Sequence, residues 1–286
     1  MGKEEKSAAG IAETFTTVVG RQVDDERIPL ARAALIIART EYPSLDIEHY
    51  LRRLDEMAER VRRLQGDLPD ASETIAALNQ VLFAEEGLRG NRDGYYDPRN
   101  SFVNDVLERR LGIPITLSLI YMEVGQRVGF PLFGVGMPGH FLLKHYDVDG
   151  RETLIDPFAE GRILSLADCQ HRLDEIYSGQ MLLQPEFLLA VSRRQILTRV
   201  LNNLKNIYLS TRNFKKALAI VDLILAIYPR SPADMKQRAT LRYGLGQLRA
   251  AAEDLEEYLK MSPEASDADE VRQTALGIRR KLAQMN

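Results

Sequence analysis

The run PITLSLIYMEVGQRVG, residues 114–129, constrains this chain more than any other stretch. Pro114 suits the first turn of a helix, where the missing N–H would have had no partner, and Gly129 suits the position just past its end. Between them, apolar side chains cover most of the helical circumference. A helix apolar on nearly every side belongs at the buried centre of a domain. The residues after Gly129 can supply its cover. FPLFGVGM, HFLLKHYDV and TLIDPF are short runs rich in aromatic and β-branched residues, separated by a Pro-Gly turn and by VDGRE, and they read as three strands. The second and third are expected to pair as a hairpin. One central helix on an antiparallel sheet makes the fold class α+β.

The segments before that helix are also helical. LARAALIIART stops at EYPSLD, where Pro43 interrupts the pattern. IEHYLRRLDEMAERVRRLQG then sets Ile47, Tyr50, Leu51, Leu54, Met57 and Val61 at helical spacing and ends at Gly66. A third helix is expected from Ser72, as N-cap, to Glu86, turning Ile75, Leu78, Leu82 and Phe83 inward. These three form a helical collar around the core. Gly87 to Asn104 reads as a long polar loop, either an ordinary surface connection or part of a site. Asp97, Arg99 and Asn100 are its candidate cleft residues, and Asn104 is expected to cap the next helix, VNDVLERRLG.

The last third repeats itself. Asn213 to Pro229 aligns with Gln247 to Pro263 at an offset of 34 residues, matching Ala217 with Ala251, Leu225 with Leu259 and Pro229 with Pro263. That period, with small residues at the helix crossing and proline after the second helix, is the tetratricopeptide signature. Two such units cannot bury their own faces, so they are expected to lean on FLLAVSRRQILT and on a terminal capping helix, DADEVRQTALGIRRKLAQ. The expected organisation is a flexible stretch over residues 1–24, collar plus core over 25–180, and repeats with their cap over 186–286.

Composition removes several function classes. A chain of 286 residues with a formal net charge of -3 has no overall attraction to nucleic acid or to an anionic membrane. Arg52-Arg53 and Arg62-Arg63 read as solvated helix faces. The opening MGKEEKSAAGIAETFTTVVG resembles neither a signal peptide nor a membrane span, so the cytoplasm is the expected compartment. One cysteine, Cys169, and four scattered histidines offer no disulfide framework and no zinc-ligand spacing. No metal and no cofactor are expected, and Cys169 reads as structural.

Chemistry concentrates in GVGMPGHFLLKHYDVDGRETLIDPF, residues 134–158, which places His140 and Asp156 on what read as successive strands. A histidine oriented by an aspartate is the base half of a nucleophilic triad. The same pair could equally be a buried polar network kept for the fold. His145 falls on the opposite strand face from His140 by alternation, while His49 and His171 read as helix-surface residues.

Here the chain resembles the transglutaminase-like superfamily, whose papain-like core faces a cysteine at the start of a central helix towards histidine and aspartate on adjacent strands. More narrowly, YYDPRNSFVNDVLERRLGIPITLSLIYMEVGQRVGFPLFGVGMPGHFLLKH with LIDPF looks like bacterial proteins of the Sir-B type, in which tetratricopeptide-like helices follow this core. The resemblance implies His140 as base and Asp156 as its orienter, with the cysteine roughly four helical turns before Gly129. That slot falls near Pro114 and Ile115, which cannot attack a carbonyl. Thr116 and Ser118 are the neighbouring hydroxyls that could substitute for the thiol. Two readings result. One is a non-catalytic scaffold or regulator that binds a protein or peptide partner through its repeats. The other is an acyl-transfer enzyme, a peptidase-like hydrolase or amide transferase, using Ser118 or Thr116 with His140 and Asp156.

Overall fold

The computed structural model describes residues 3–20, 23–66 and 69–284. They form two compact units, one of residues 25–200 and one of residues 1–24 together with 201–286.

The larger unit opens with α2 (Leu30–Ala38), α3 (Ile47–Leu64) and α4 (Ala71–Asn79), which follow α1 (Lys3–Val19) of the other unit. Asp46 caps α3 by accepting from the His49 N–H, and Ile47, Leu54, Met57 and Val61 are buried on one stripe. The third collar helix starts two residues before the expected Ser72 cap. Asp70 takes the N-cap, accepting from the Glu73 N–H at 2.8 Å, while the Glu73 carboxylate accepts from the Asp70 N–H at 3.2 Å. This reciprocal box satisfies two donors at the helix start, which Ser72 alone could not do. Past Asn79 the helix widens into a π-helical turn over Gln80–Glu85.

Two-residue strands β1 (Arg89–Gly90) and β2 (Leu111–Gly112) pair in parallel around α5 (Val103–Arg109). Then comes α6 (Pro114–Arg127), with every side chain from Pro114 to Gly125 buried. Its polar groups tether the collar. The buried Glu123 carboxylate accepts from the Ala31 N–H at the start of α2, at 3.1 Å, where the helix dipole favours a negative charge. Arg127 pairs with that same carboxylate and with Asp55 on α3, and the Tyr121 hydroxyl donates to Asn79 at the end of α4.

The sheet has five strands, β3 (Phe133–Val135), β4 (Leu142–Tyr146), β5 (Glu152–Asp156), β6 (Arg162–Leu164) and β7 (Ala190–Val191), in the order β6-β5-β4-β3-β7. Every pairing is antiparallel, and β4 and β5 form the expected hairpin with Leu143 opposite Ile155. Helices cover both faces. Val135, Leu142, Leu154 and Leu164 share one face and pack with Cys169 and Leu173 of α7 (Leu166–Tyr177) and with Leu188. Alternation turns Leu143 and Ile155 to the opposite face, where α6 packs on β3 and β4. A Ser165–Asp168 capping box opens α7, which carries Cys169.

The long helix α8 (Arg193–Ser210) runs from one unit into the other, so the boundary falls within it at 200/201 rather than at the expected junction near Pro185. The reason is local: Arg193 and Arg194 donate backbone N–H groups to Asp25, and Arg199 bonds to the turn before β4, so the first turns of α8 belong to the core.

The second unit contains α1, the rest of α8, α9 (Phe214–Ile227), α10 (Pro232–Gly244), α11 (Leu248–Met261) and α12 (Ala268–Gln284). The starts of α9 and α11 repeat the offset of their alanines, and Ala217 and Ala251 are fully buried where successive helices cross. Arg238 on α10 grips Asp254 on α11 with two nitrogens, at 2.7 and 3.0 Å, and reaches Asp222 on α9 at 3.1 Å. Arg242, one turn on, pairs with the same two carboxylates. Burial pushes the Asp222 carboxyl upward, against the pull of Arg238 and Arg242. Within the stretch where composition suggested flexibility, α1 lies against α9 and buries Phe15 and Val19, one helical turn apart. Residues 1–2 and 21–22 of that stretch are outside the described residues.

Candidate functional site

His140 sits two residues ahead of β4, not within it, at the exit of the Pro138-Gly139 turn. Gly139 adopts φ +69°, a left-handed conformation that a side chain would strain, so the turn depends on glycine here. Asp156 closes β5. The hairpin register therefore brings the two together: His140 Nε2 lies 3.0 Å from Asp156 Oδ2, with His140 4% and Asp156 0% exposed. The other carboxylate oxygen, Oδ1, accepts from the Phe158 N–H at 3.0 Å and so caps the 3-10 turn of Pro157–Ala159. Arg172 on α7 reaches Oδ2 at 3.5 Å. Oδ2 thus faces both the imidazole and a guanidinium, while Oδ1 is committed to the main chain. The remaining ring nitrogen, Nδ1, makes no hydrogen bond among the described residues.

The surroundings of His140 come from four separate segments. Phe158 meets its ring edge to face, with centroids 5.9 Å apart. The Phe158 ring in turn fills the space where a Cβ on Gly90 would stand, since such an atom would come within 2.5 Å of it. The Arg92 guanidinium lies over the Phe158 ring, 5.6 Å from its centroid. From α8, Arg199 donates through Nη2 to the carbonyls of His140 and Met137, at 2.7 and 3.2 Å, and stacks on Phe141. Tyr95 adjoins it, its hydroxyl pushed up chiefly by burial, with the Arg199 charge acting the other way.

The two hydroxyls near the start of α6 do not join this group. Thr116 Oγ1 accepts from the Ile113 N–H at 3.2 Å and donates to the Asn100 carbonyl at 2.7 Å, so it caps α6 and pins the preceding loop. Ser118 Oγ is fully buried and has no hydrogen-bond partner among the described residues, His140 included. Cys169 lies in the apolar core between the sheet and α7, where burial pushes its thiol up to about 11. A thiol so placed is inert.

The three candidate loop residues serve the loop itself. Asn100 is fully buried, donating to the carbonyls of Gly94 and Tyr95 and accepting from Asn91. Asp97 caps the turn at Pro98–Ser101 and pairs with Arg99 and Arg109. Burial raises its carboxyl, but these arginine contacts prevail and hold it below the usual range. Asn104 does not cap α5. Phe102 holds the N-cap position, and Asn104 Oδ1 is buried without a partner. The loop instead reaches the neighbours of His140, with Gly90 and Arg92 against Phe158 and Tyr95 beside Arg199, none of which stood out in the sequence.

His145 bonds through Nδ1 to the Pro131 carbonyl and stacks on Phe130, a structural role away from the pair. Among the described residues, no group of three or more His, Cys, Asp or Glu side chains could hold a metal ion. No helix among them is long and apolar enough to cross a membrane. A cavity of about 570 Å³ lies elsewhere, along α3, but its lining charges largely neutralise one another through Arg53 and Arg60 with Glu86.

Residues 48–202, which hold the central helix α6 and the β4–β5 hairpin, match the transglutaminase-like superfamily. The chain belongs to that superfamily. Residues 204–275 match the tetratricopeptide repeat. The chain is 38% identical over 253 residues to the UPF0162 protein of Xylella fastidiosa (strain 9a5c), covering 87% of this chain and 90% of that one. It is 33% identical to the UPF0162 protein PA3419 of Pseudomonas aeruginosa, over 83% of this chain and 86% of the relative. It is also 30% identical over 185 residues to F-box only protein 21 of Mus musculus, over 61% of this chain and 28% of that protein.

Proposed function

We propose that this protein is a non-catalytic transglutaminase-like scaffold or regulator that binds a protein or peptide partner. In this reading the tetratricopeptide-like repeats give the partner its main surface, as stacked helical repeats commonly do. The observation that carries it is the use made of the hydroxyls: Thr116 is committed to main-chain groups, and Ser118 makes no bond to His140. The helix start where the superfamily's cysteine would stand carries Pro114 and Ile115. A base with no nucleophile in reach polarises nothing. Its single thiol, buried and protonated, suits the cytoplasm.

One observation favours a second reading. Ser118 Oγ is an unpartnered buried hydroxyl two residues beyond Thr116, and a shift of α6 that brought it to Nδ1 of His140 would complete a hydroxyl–histidine–aspartate set. Labelling with a fluorophosphonate probe separates the two. The scaffold reading expects no labelling that depends on His140, whereas incorporation that disappears in both His140→Ala and Ser118→Ala would overturn it.

A further inference from the structure

The side of α9 that looks away from Ala217 has no counterpart in the second repeat. Ala219, Leu223 and Ala226 recur there at i, i+4 and i+7, about half a turn round the helix from Ala217. Leu223 is 1% exposed, and both alanines are half-buried. At the 34-residue offset their places on α11 are taken by Glu253, Glu257 and Lys260, all exposed. A repeat helix that faces water on this side is charged there, as α11 is; the apolar stripe of α9 calls for a cover, and α1 lies against α9. Alanines on either side of Leu223 let a second helix approach closely.

The covering helix holds its shape poorly by itself. From Thr14 to Val19 every residue except Phe15 is β-branched, and each such side chain loses freedom in a helix. Thr14, Thr16 and Thr17 donate their hydroxyls to the carbonyls of Gly10, Ala12 and Glu13, bonds that compete with the helical ladder. A segment of this composition, 17 residues long, is marginal as a helix in water. Packing on α9 therefore gives α1 its shape, and α1 opens more readily than the helices within the repeats.

We propose that this stripe of α9 is the docking surface for an amphipathic helix of a protein partner, and that α1 is a strap that occupies it until such a helix displaces it. This rests on the scaffold reading and names the partner's chemistry. By the pattern of Phe15 and Val19, the partner helix carries an aromatic and an aliphatic residue one turn apart on an uncharged face. Being tethered, α1 competes at a high effective concentration, so the partner gains its advantage from better helix formers.

The test uses a fluorescein-labelled peptide of residues 3–20 carrying Thr14→Ala, Thr16→Ala and Thr17→Ala, which keeps Phe15 and Val19 and strengthens the helix. Fluorescence anisotropy follows its binding to the full-length wild-type chain, to Phe15→Ala/Val19→Ala, whose own strap is loosened, and to that variant with Leu223→Glu added. The loosened chain is expected to bind about tenfold or more tighter than wild type, because its strap no longer competes. Adding Leu223→Glu is expected to abolish binding. A control peptide that also carries Phe15→Ala is expected not to bind, which keeps the test decisive should Leu223→Glu unfold the repeats. Equal affinity for wild type and the loosened chain, no binding to the loosened chain, or undiminished binding of the control peptide would overturn the strap. So would a wild-type dimer in sedimentation that Phe15→Ala/Val19→Ala abolishes, since the occupant would then be α1 of a second copy. Each of these leaves the scaffold reading standing, because that reading turns on His140-dependent labelling instead.

Discussion

The carboxylate of Asp156 stands 3.0 Å from Nε2 of His140, and both side chains are shut away from solvent. Removing one member of such a pair strands the other. Asp156→Ala also orphans the Phe158 N–H and the Arg172 contact, so it should lower unfolding stability by about 2–4 kcal/mol. Urea denaturation followed by circular dichroism measures this; a loss under about 0.5 kcal/mol would show that the pair is not buried in solution.

The two α6 hydroxyls should respond in opposite ways. Thr116→Val breaks a helix cap and a loop tether and should cost about 1–2 kcal/mol. Ser118→Ala removes a buried hydroxyl with no partner and should be neutral or slightly stabilising. Side-by-side denaturation curves check both, and a marked loss in Ser118→Ala would reveal a partner for that oxygen.

Cys169 should report on the integrity of the core. Burial raises its thiol from an ordinary 9.0 to about 11, so ionisation favours the unfolded chain. Its contribution to stability is intact below about pH 9 and is lost as the pH rises towards about 11. Ellman's reagent at about pH 8, below the ordinary thiol range, should leave the folded protein unmodified and titrate one thiol once denaturant is added. Rapid reaction of the native protein would place the sulfur at the surface.

In the repeats, Arg238→Ala removes the group that joins α9, α10 and α11. Arg242 still reaches Asp254, which softens the loss to about 2 kcal/mol. Hydrogen exchange should quicken across those three helices, and unchanged protection would mean that the ladder contributes little.

The parts of this fold with long periodic patterns were legible in the residues. The apolar ring of α6, the stripe of α3 and the matched alanines of α9 and α11 each follow from burial at helical spacing. The β4–β5 hairpin was announced by its turn, and the nearness of His140 to Asp156 follows from its register. Four strands were not foreseen, because β1, β2, β6 and β7 have only two or three residues each and show no alternation to read. Arg199 joins the site from 59 residues beyond His140, a distance no local pattern spans. Arg92 lies within the long polar loop but has no acidic partner to mark it, and Phe158 is drawn in by the glycine opposite. Asn104 fits the composition of a cap, yet tertiary packing gave the N-cap position to Phe102.

Because α1 rests on α9, it waits during synthesis for a partner that is translated nearly two hundred residues later. At typical rates of synthesis that wait lasts roughly 10–40 s, long enough for the intervening residues to fold around α6 before α1 and α9 meet. The later-made repeats must therefore collect a helix made long before them, and a nascent chain released before α9 would carry Phe15 and Val19 uncovered.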